Sequence, residues 1–72
     1  MPAFIPTSYM ELIDLILRND VYISQDGMTY TSNLNGIEYT LKCIDFHGLV
    51  VLASISKGGD EIWNLKSSMI KH

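Results

Sequence analysis

Early in the chain the apolar residues recur at helical spacing. Tyr9, Leu12, Ile13, Ile16 and Leu17 stand at i, i+3, i+4, i+7 and i+8, and at about 100° per residue they make one stripe. Ser8 and Glu11 have capping-box spacing just ahead of that run. The pattern predicts a helix over residues 8–19 that opens on Ser8. Asp14 and Arg18 add an i, i+4 pair, and Arg18 falls at the negative end of the helix dipole. Met10 and Leu15 widen the apolar stripe on either side. Two arrangements would cover a band that wide: a small sheet curling around both flanks, or a sheet on one flank and another protein on the rest.

From Val21 onward the period changes to alternation. Residues 21–25, 28–34, 37–46, 49–56 and 61–66 read as strands, divided by Asp26-Gly27, Asn35-Gly36, His47-Gly48 and Lys57-Gly58-Gly59-Asp60. Asp-Gly and Asn-Gly favour two-residue type I′ hairpin turns. Connections this short leave no room for a parallel crossover, so residues 21–66 are expected to form an antiparallel meander. Residues 1–7 are an apolar arm with Phe4 and Ile5 between Pro2 and Pro6, and residues 67–72 are a short tail, at most one helical turn. The expected fold is α+β: a single domain over residues 1–72, with one N-terminal amphipathic helix packed on a strongly twisted five-stranded meander, a partial small barrel. In architecture alone this resembles the small curled barrels of Tudor and Src-homology modules, and no functional residue is carried over from them.

The longest strand changes phase. Ile37, Tyr39, Leu41 and Cys43 share one face, with Glu38, Thr40 and Lys42 on the other. Beyond Cys43 the apolar parity passes to Ile44 and Phe46. A β-bulge or bend near Cys43 and Ile44 is expected to restore a single buried face, with Tyr39 and Phe46 in the core. Trp63 stands between Ile62 and Leu65, so either strand parity leaves one large apolar residue outside.

Composition bounds what such a fold does. With 72 residues, 47% hydrophobic and 18% charged, the chain is globular and small enough to be marginal on its own core. The net charge of -3 and the lack of a basic stripe argue against direct nucleic-acid binding. One cysteine excludes an intrachain disulfide. No stretch is long enough for a membrane span or reads as a signal peptide, and a lone cysteine fits a reducing, cytoplasmic setting.

Three constellations carry candidate chemistry. Cys43, Asp45 and His47 would share a face on a regular strand, as part of a zinc site or a cysteine nucleophile with its base. A bulge in that strand would separate them, and a fourth ligand would have to come from His72. Cys43 is therefore expected as a small apolar filler, and no cofactor or metal is expected. The aromatic residues Tyr22, Tyr30, Tyr39, Phe46 and Trp63 lie in expected strands, as core or as a shallow peptide groove. Asp60 and Glu61 flank the glycine turn beside Trp63 on what should be an edge strand.

Size and the absence of a catalytic signature point away from an enzyme. The candidate partner-binding residues are Trp63, Asp60, Glu61, Met10, Leu15 and Tyr22. The reading is a protein-protein interaction module, an inhibitor or adaptor of a larger assembly such as a nucleoprotein or nuclease complex, with a homodimer as the other way to cover the wide helix. Phage anti-defence inhibitors such as anti-CRISPR proteins are the favoured class on size and charge. The alternative is a small-barrel nucleic-acid or peptide-binding module.

Overall fold

A computed structural model describes residues 5–70. Helix α1 (Thr7–Arg18) precedes strands β1 (Tyr22–Ile23), β2 (Thr29–Leu34), β3 (Ile37–Phe46), β4 (Leu49–Lys57) and β5 (Asp60–Asn64), and a short helix α2 (Leu65–Ile70) follows. The strands form one antiparallel sheet in sequence order, β1-β2-β3-β4-β5. The expected α+β meander is present. The sheet is open, with β1 and β5 as its two edges.

Helix α1 begins one residue earlier than its spacing predicts, and the Ser8 capping box is not formed. Pro6 is the N-cap, without a side-chain cap bond. Its carbonyl accepts the Tyr9 and Met10 N–H groups at 3.0 and 3.1 Å. Proline's fixed φ suits helix entry, and Ser8 is already inside the first turn. At the other end, buried Ser32 on β2 donates its hydroxyl to the Asn19 carbonyl. That bond satisfies one of the carbonyls a helix end leaves open and ties α1 to the sheet. The Asp14–Arg18 pair forms at 3.1 Å on the solvent face, where such pairs contribute little.

The core lies between α1 and one face of the sheet. Opposed residues share a face, and the row Tyr30–Leu41–Ile55–Trp63 runs across four strands. Leu41, Ile55 and Trp63 are buried beneath Ile16, and Tyr9, Leu12 and Ile13 pack around them. Taking Ile16 as zero and about 100° per residue, Leu12, Tyr9 and Ile13 fall between about −40° and +60°. Leu17 and Met10 fall near +100° and +120°, and Leu15 near −100°. The sheet covers an arc about as wide as an ordinary amphipathic stripe, and all three flanking residues stay exposed. Leu17, expected in the stripe, is outside it, and the sheet does not curl around both flanks.

Trp63, which strand parity alone leaves open between core and interface and which is named above as a candidate partner-binding residue, lies in the core at 9% exposure. The register of β4 and β5 shifts so that Ile55 opposes Trp63 and Ser56 opposes Glu61, leaving Ile62 unopposed. This extra residue on β5 resolves the parity conflict. Trp63 turns to the core, Ile62 packs half-buried beside it, and the Tyr9 hydroxyl donates to the Ile62 carbonyl at 3.3 Å. Residues 65 and 66, expected as strand, belong to α2.

The turns divide into two kinds. Asn35-Gly36 and His47-Gly48 both take positive φ (54° and 83°, 53° and 84°), as a type I′ turn requires. Asp26-Gly27 does not make the expected two-residue turn. Asp26 Oδ1 accepts from the Ser24 hydroxyl at 2.6 Å and the Met28 N–H at 2.9 Å, inside a loop closed by the Ser24 N–H donating to the Thr29 carbonyl at 2.9 Å. The aspartate side chain substitutes for backbone pairing, which shortens β1 to Tyr22–Ile23 from the expected 21–25.

Candidate interaction site

The phase change in β3 survives folding. Lys42 opposes Ser54 but Cys43 opposes Leu52, so the extra residue is Ala53 on β4, not a residue of β3. Because β3 keeps its alternation, Tyr39, Leu41, Cys43 and Asp45 stay on the core side. Glu38, Thr40, Lys42, Ile44 and Phe46 stay on the outer side. The expected return to a single buried face does not occur. Ile44 and Phe46 are exposed, so Phe46 is corrected from a core residue to a surface one.

Chain length explains why, among the described residues, neither α1 nor a flanking strand covers them. Helix α1 has 12 residues and spans about 18 Å. Strand β3 has 10 and spans about 34 Å. The pairing of β2 with β3 reaches only Thr29 opposite Lys42, followed by one bond from the Cys43 N–H to the Met28 carbonyl at 2.7 Å. The pairing of β4 with β5 begins at Ser54 opposite Asn64. Apart from that bond, residues 43–46 and 49–52 find strand partners, among the described residues, only in each other, as a two-stranded ribbon.

On the ribbon's outer face Ile44 opposes Val51 and Phe46 opposes Leu49; on the other face Cys43 opposes Leu52 and Asp45 opposes Val50. Phe46, Leu49 and Val50 are 55%, 67% and 59% exposed. The tip is ordered by its own contacts. The Gly48 N–H donates to Asp45 Oδ1 at 2.9 Å, and the Phe46 and His47 rings meet edge-to-face at 4.5 Å. Below the tip, α2 crosses near β4 and β5 and makes with the ribbon an open groove of about 780 Å³. Ile44, Phe46 and Leu65 line it together with Ala53 and Ser54, and Glu61 and Lys66 bring one charge of each sign.

The six residues singled out from the sequence do not form one site. Tyr22 is exposed on β1, and Asp60 and Glu61 are exposed on β5, at opposite edges of the sheet. Met10 and Leu15 lie on opposite flanks of α1, and Trp63 is internal. Glu61 accepts from the Asn64 amide at 2.7 Å. The ribbon residues were missed, although their signal was the parity slip itself.

Cys43 is half-buried at the base of the ribbon, and burial pushes its thiol pKa up. That environment suits a neutral filler more than a thiolate nucleophile. Among the described residues no three of His, Cys, Asp and Glu converge as a metal would require. No helix among them is long and apolar enough to cross a membrane. Comparison with family models, with curated proteins and with solved structures finds no match.

Proposed function

We propose that this protein is a non-catalytic protein-binding module and that the ribbon, residues 43–52, is the face that meets another protein. The observation that carries this reading is the inverted polarity of the ribbon. Its outer face holds Ile44, Phe46 and Leu49 in solvent, continuous with an apolar groove. Among the described residues ten large apolar side chains are exposed, against four apolar residues buried. Burying one such side chain contributes about 1.5–3 kcal/mol, so a chain with so small a core leaves much of its available burial for association. Clusters of this kind on small soluble domains mark interaction surfaces.

Within this class the reading is an inhibitor or adaptor of a larger assembly, acting in the cytoplasm of the producing or host cell. The net charge of -3 favours approach to a basic surface, such as that of a nucleic-acid-binding enzyme. Inhibition of a host defence nuclease is the activity to assay first. The test compares two double variants, Phe46→Ser with Leu49→Ser on the ribbon and Met10→Ser with Leu15→Ser on the helix. Capture from the native host lysate, and inhibition of the captured enzyme, should be lost with the ribbon pair and kept with the helix pair. The opposite result would move the interface to α1.

A further inference from the structure

We infer that the bare edge of β4, residues 49–53, pairs antiparallel with the same edge of a second copy, about a two-fold axis at Val51. This rests on the reading of the ribbon as an interaction face and names one occupant for its edge. Strand β5 pairs with β4 only from Ser54 upward. Residues 49–53 therefore present a row of backbone groups on that side with no strand beside them among the described residues, and α2 approaches that row at its Ala53 end.

Natural sheets blunt such edges with lysine, proline, inward charge, β-bulges, a covering helix or extreme shortness. Elsewhere this sheet does so. Strand β1 is two residues long, β5 opens on Asp60 and Glu61, and the other side of the ribbon carries Asp45. The β4 edge reads Leu49-Val50-Val51-Leu52-Ala53, with no charge, proline or glycine, and its one bulge and the approach of α2 fall at the Ala53 end, away from the exposed Leu49 and Val50. It is also self-complementary. Antiparallel pairing about Val51 sets Leu49 against Ala53 and Val50 against Leu52, and no like charges meet. The length fits as well. The bare edge runs from the His47-Gly48 turn to the level of Asn64, about 17 Å for five residues, and each copy offers the other a gap of the same length.

The pairing covers Leu49 and Val50, two of the most exposed apolar side chains of the chain. It removes on the order of 1,000 Å² in total, at the low end for specific association, so the dimer forms and dissociates with concentration. It also places the outer faces of two ribbons side by side. Ile44, Phe46 and Val51 of both copies then make one apolar surface for a further partner.

Sedimentation velocity from micromolar to millimolar protein should show a monomer–dimer equilibrium. Leu49→Lys, at a position 67% exposed and safe for folding, should weaken it at least tenfold. Val51→Cys in a Cys43→Ser background should cross-link two copies on mild oxidation, since opposed residues in an antiparallel pair lie about 4.5–5.5 Å apart at Cα. Leu17→Cys on the helix should not. A monomer at every concentration, a dimer indifferent to Leu49→Lys, or cross-linking at Leu17→Cys in place of Val51→Cys would overturn the inference. If the chain stays monomeric while Phe46→Ser still abolishes capture of another protein, only the dimer falls. If Phe46→Ser and Leu49→Lys change neither association nor capture, the interaction reading falls with it.

Discussion

The two halves of the β3–β4 hairpin are made of the same strands and nearly the same kinds of residue, yet they end in opposite environments. In the half next to β2 and β5, Leu41 and Ile55 are 3% and 0% exposed. In the other half Phe46 and Leu49 are 55% and 67% exposed. Hydropathy does not separate them; what lies above does. The first half has Ile16 over one face and a strand on each side. Among the described residues the second has no flanking strand, and only the short α2 approaches it, at its base. A two-stranded ribbon on its own is marginal in water. This one is held by the register of the sheet behind it and by the hydrogen-bonded turn at its tip.

The largest effects of substitution are expected in the covered half. Trp63→Ala, or Ile55→Ala in the same row, should cost about 3–5 kcal/mol through lost burial and an unfilled cavity. In so small a domain that is enough to abolish the cooperative thermal transition followed by circular dichroism. A folded Trp63→Ala protein would place the tryptophan outside the core. Ser32→Ala comes next. It strands the Asn19 carbonyl at the end of α1, and an unfolding free energy lowered by about 1–3 kcal/mol in chemical denaturation is expected.

At the boundary between the halves, Cys43→Ser should cost about 1–2 kcal/mol, from a hydroxyl placed where a thiol is half-buried. The native thiol should react slowly with disulfide reagents at neutral pH. Its raised pKa in the folded state contributes stability that is complete below the ordinary thiol value of about 8.5. That contribution is lost as pH rises through the folded value. An alkaline stability profile unchanged by the substitution would remove this assignment.

In the ribbon the same kind of substitution should do little to folding. Phe46→Ser is expected to shift stability by no more than about 0.5 kcal/mol, as surface substitutions do, while it removes association. A large loss of stability in the isolated monomer would show that the ribbon belongs to the core. The smallest effect is expected far from both halves, at Asp26. Its hydrogen bonds from Ser24 and Met28 hold its carboxyl below the ordinary value. The stabilisation is present above the ordinary aspartate pKa of about 3.9 and fades as pH falls through the folded value. Asp26→Asn should remove only that acid-side part of the melting profile.

What could be read from residues alone was local. The bounds of β3 and the two type I′ turns at Asn35-Gly36 and His47-Gly48 match their sequence signals, because backbone strain at positive φ selects those residues wherever the turn lies. Helix α1 was legible from spacing to within one residue. The failures arose where a signal had a competitor. Asp26 bonded Ser24 and Met28 in place of a tight turn, and Pro6 displaced Ser8 as the cap.

The candidate site was half legible. The shift of apolar parity to Ile44 and Phe46 is plain in the sequence, as is the conflict between Ile62 and Trp63. How each resolves depends on pairing and reach, which are not properties of one strand. Register placed the extra residues at Ala53 and Ile62, and so buried Trp63 and left β3 unbent in phase. The span of α1, about half that of β3, decided which apolar residues found cover. From the residues alone, one end of the hairpin has its polarity inverted. That this end lies beyond the reach of α1, with its apolar face exposed and not buried against a mismatched core, follows from the pairing of the strands and the length of the helix.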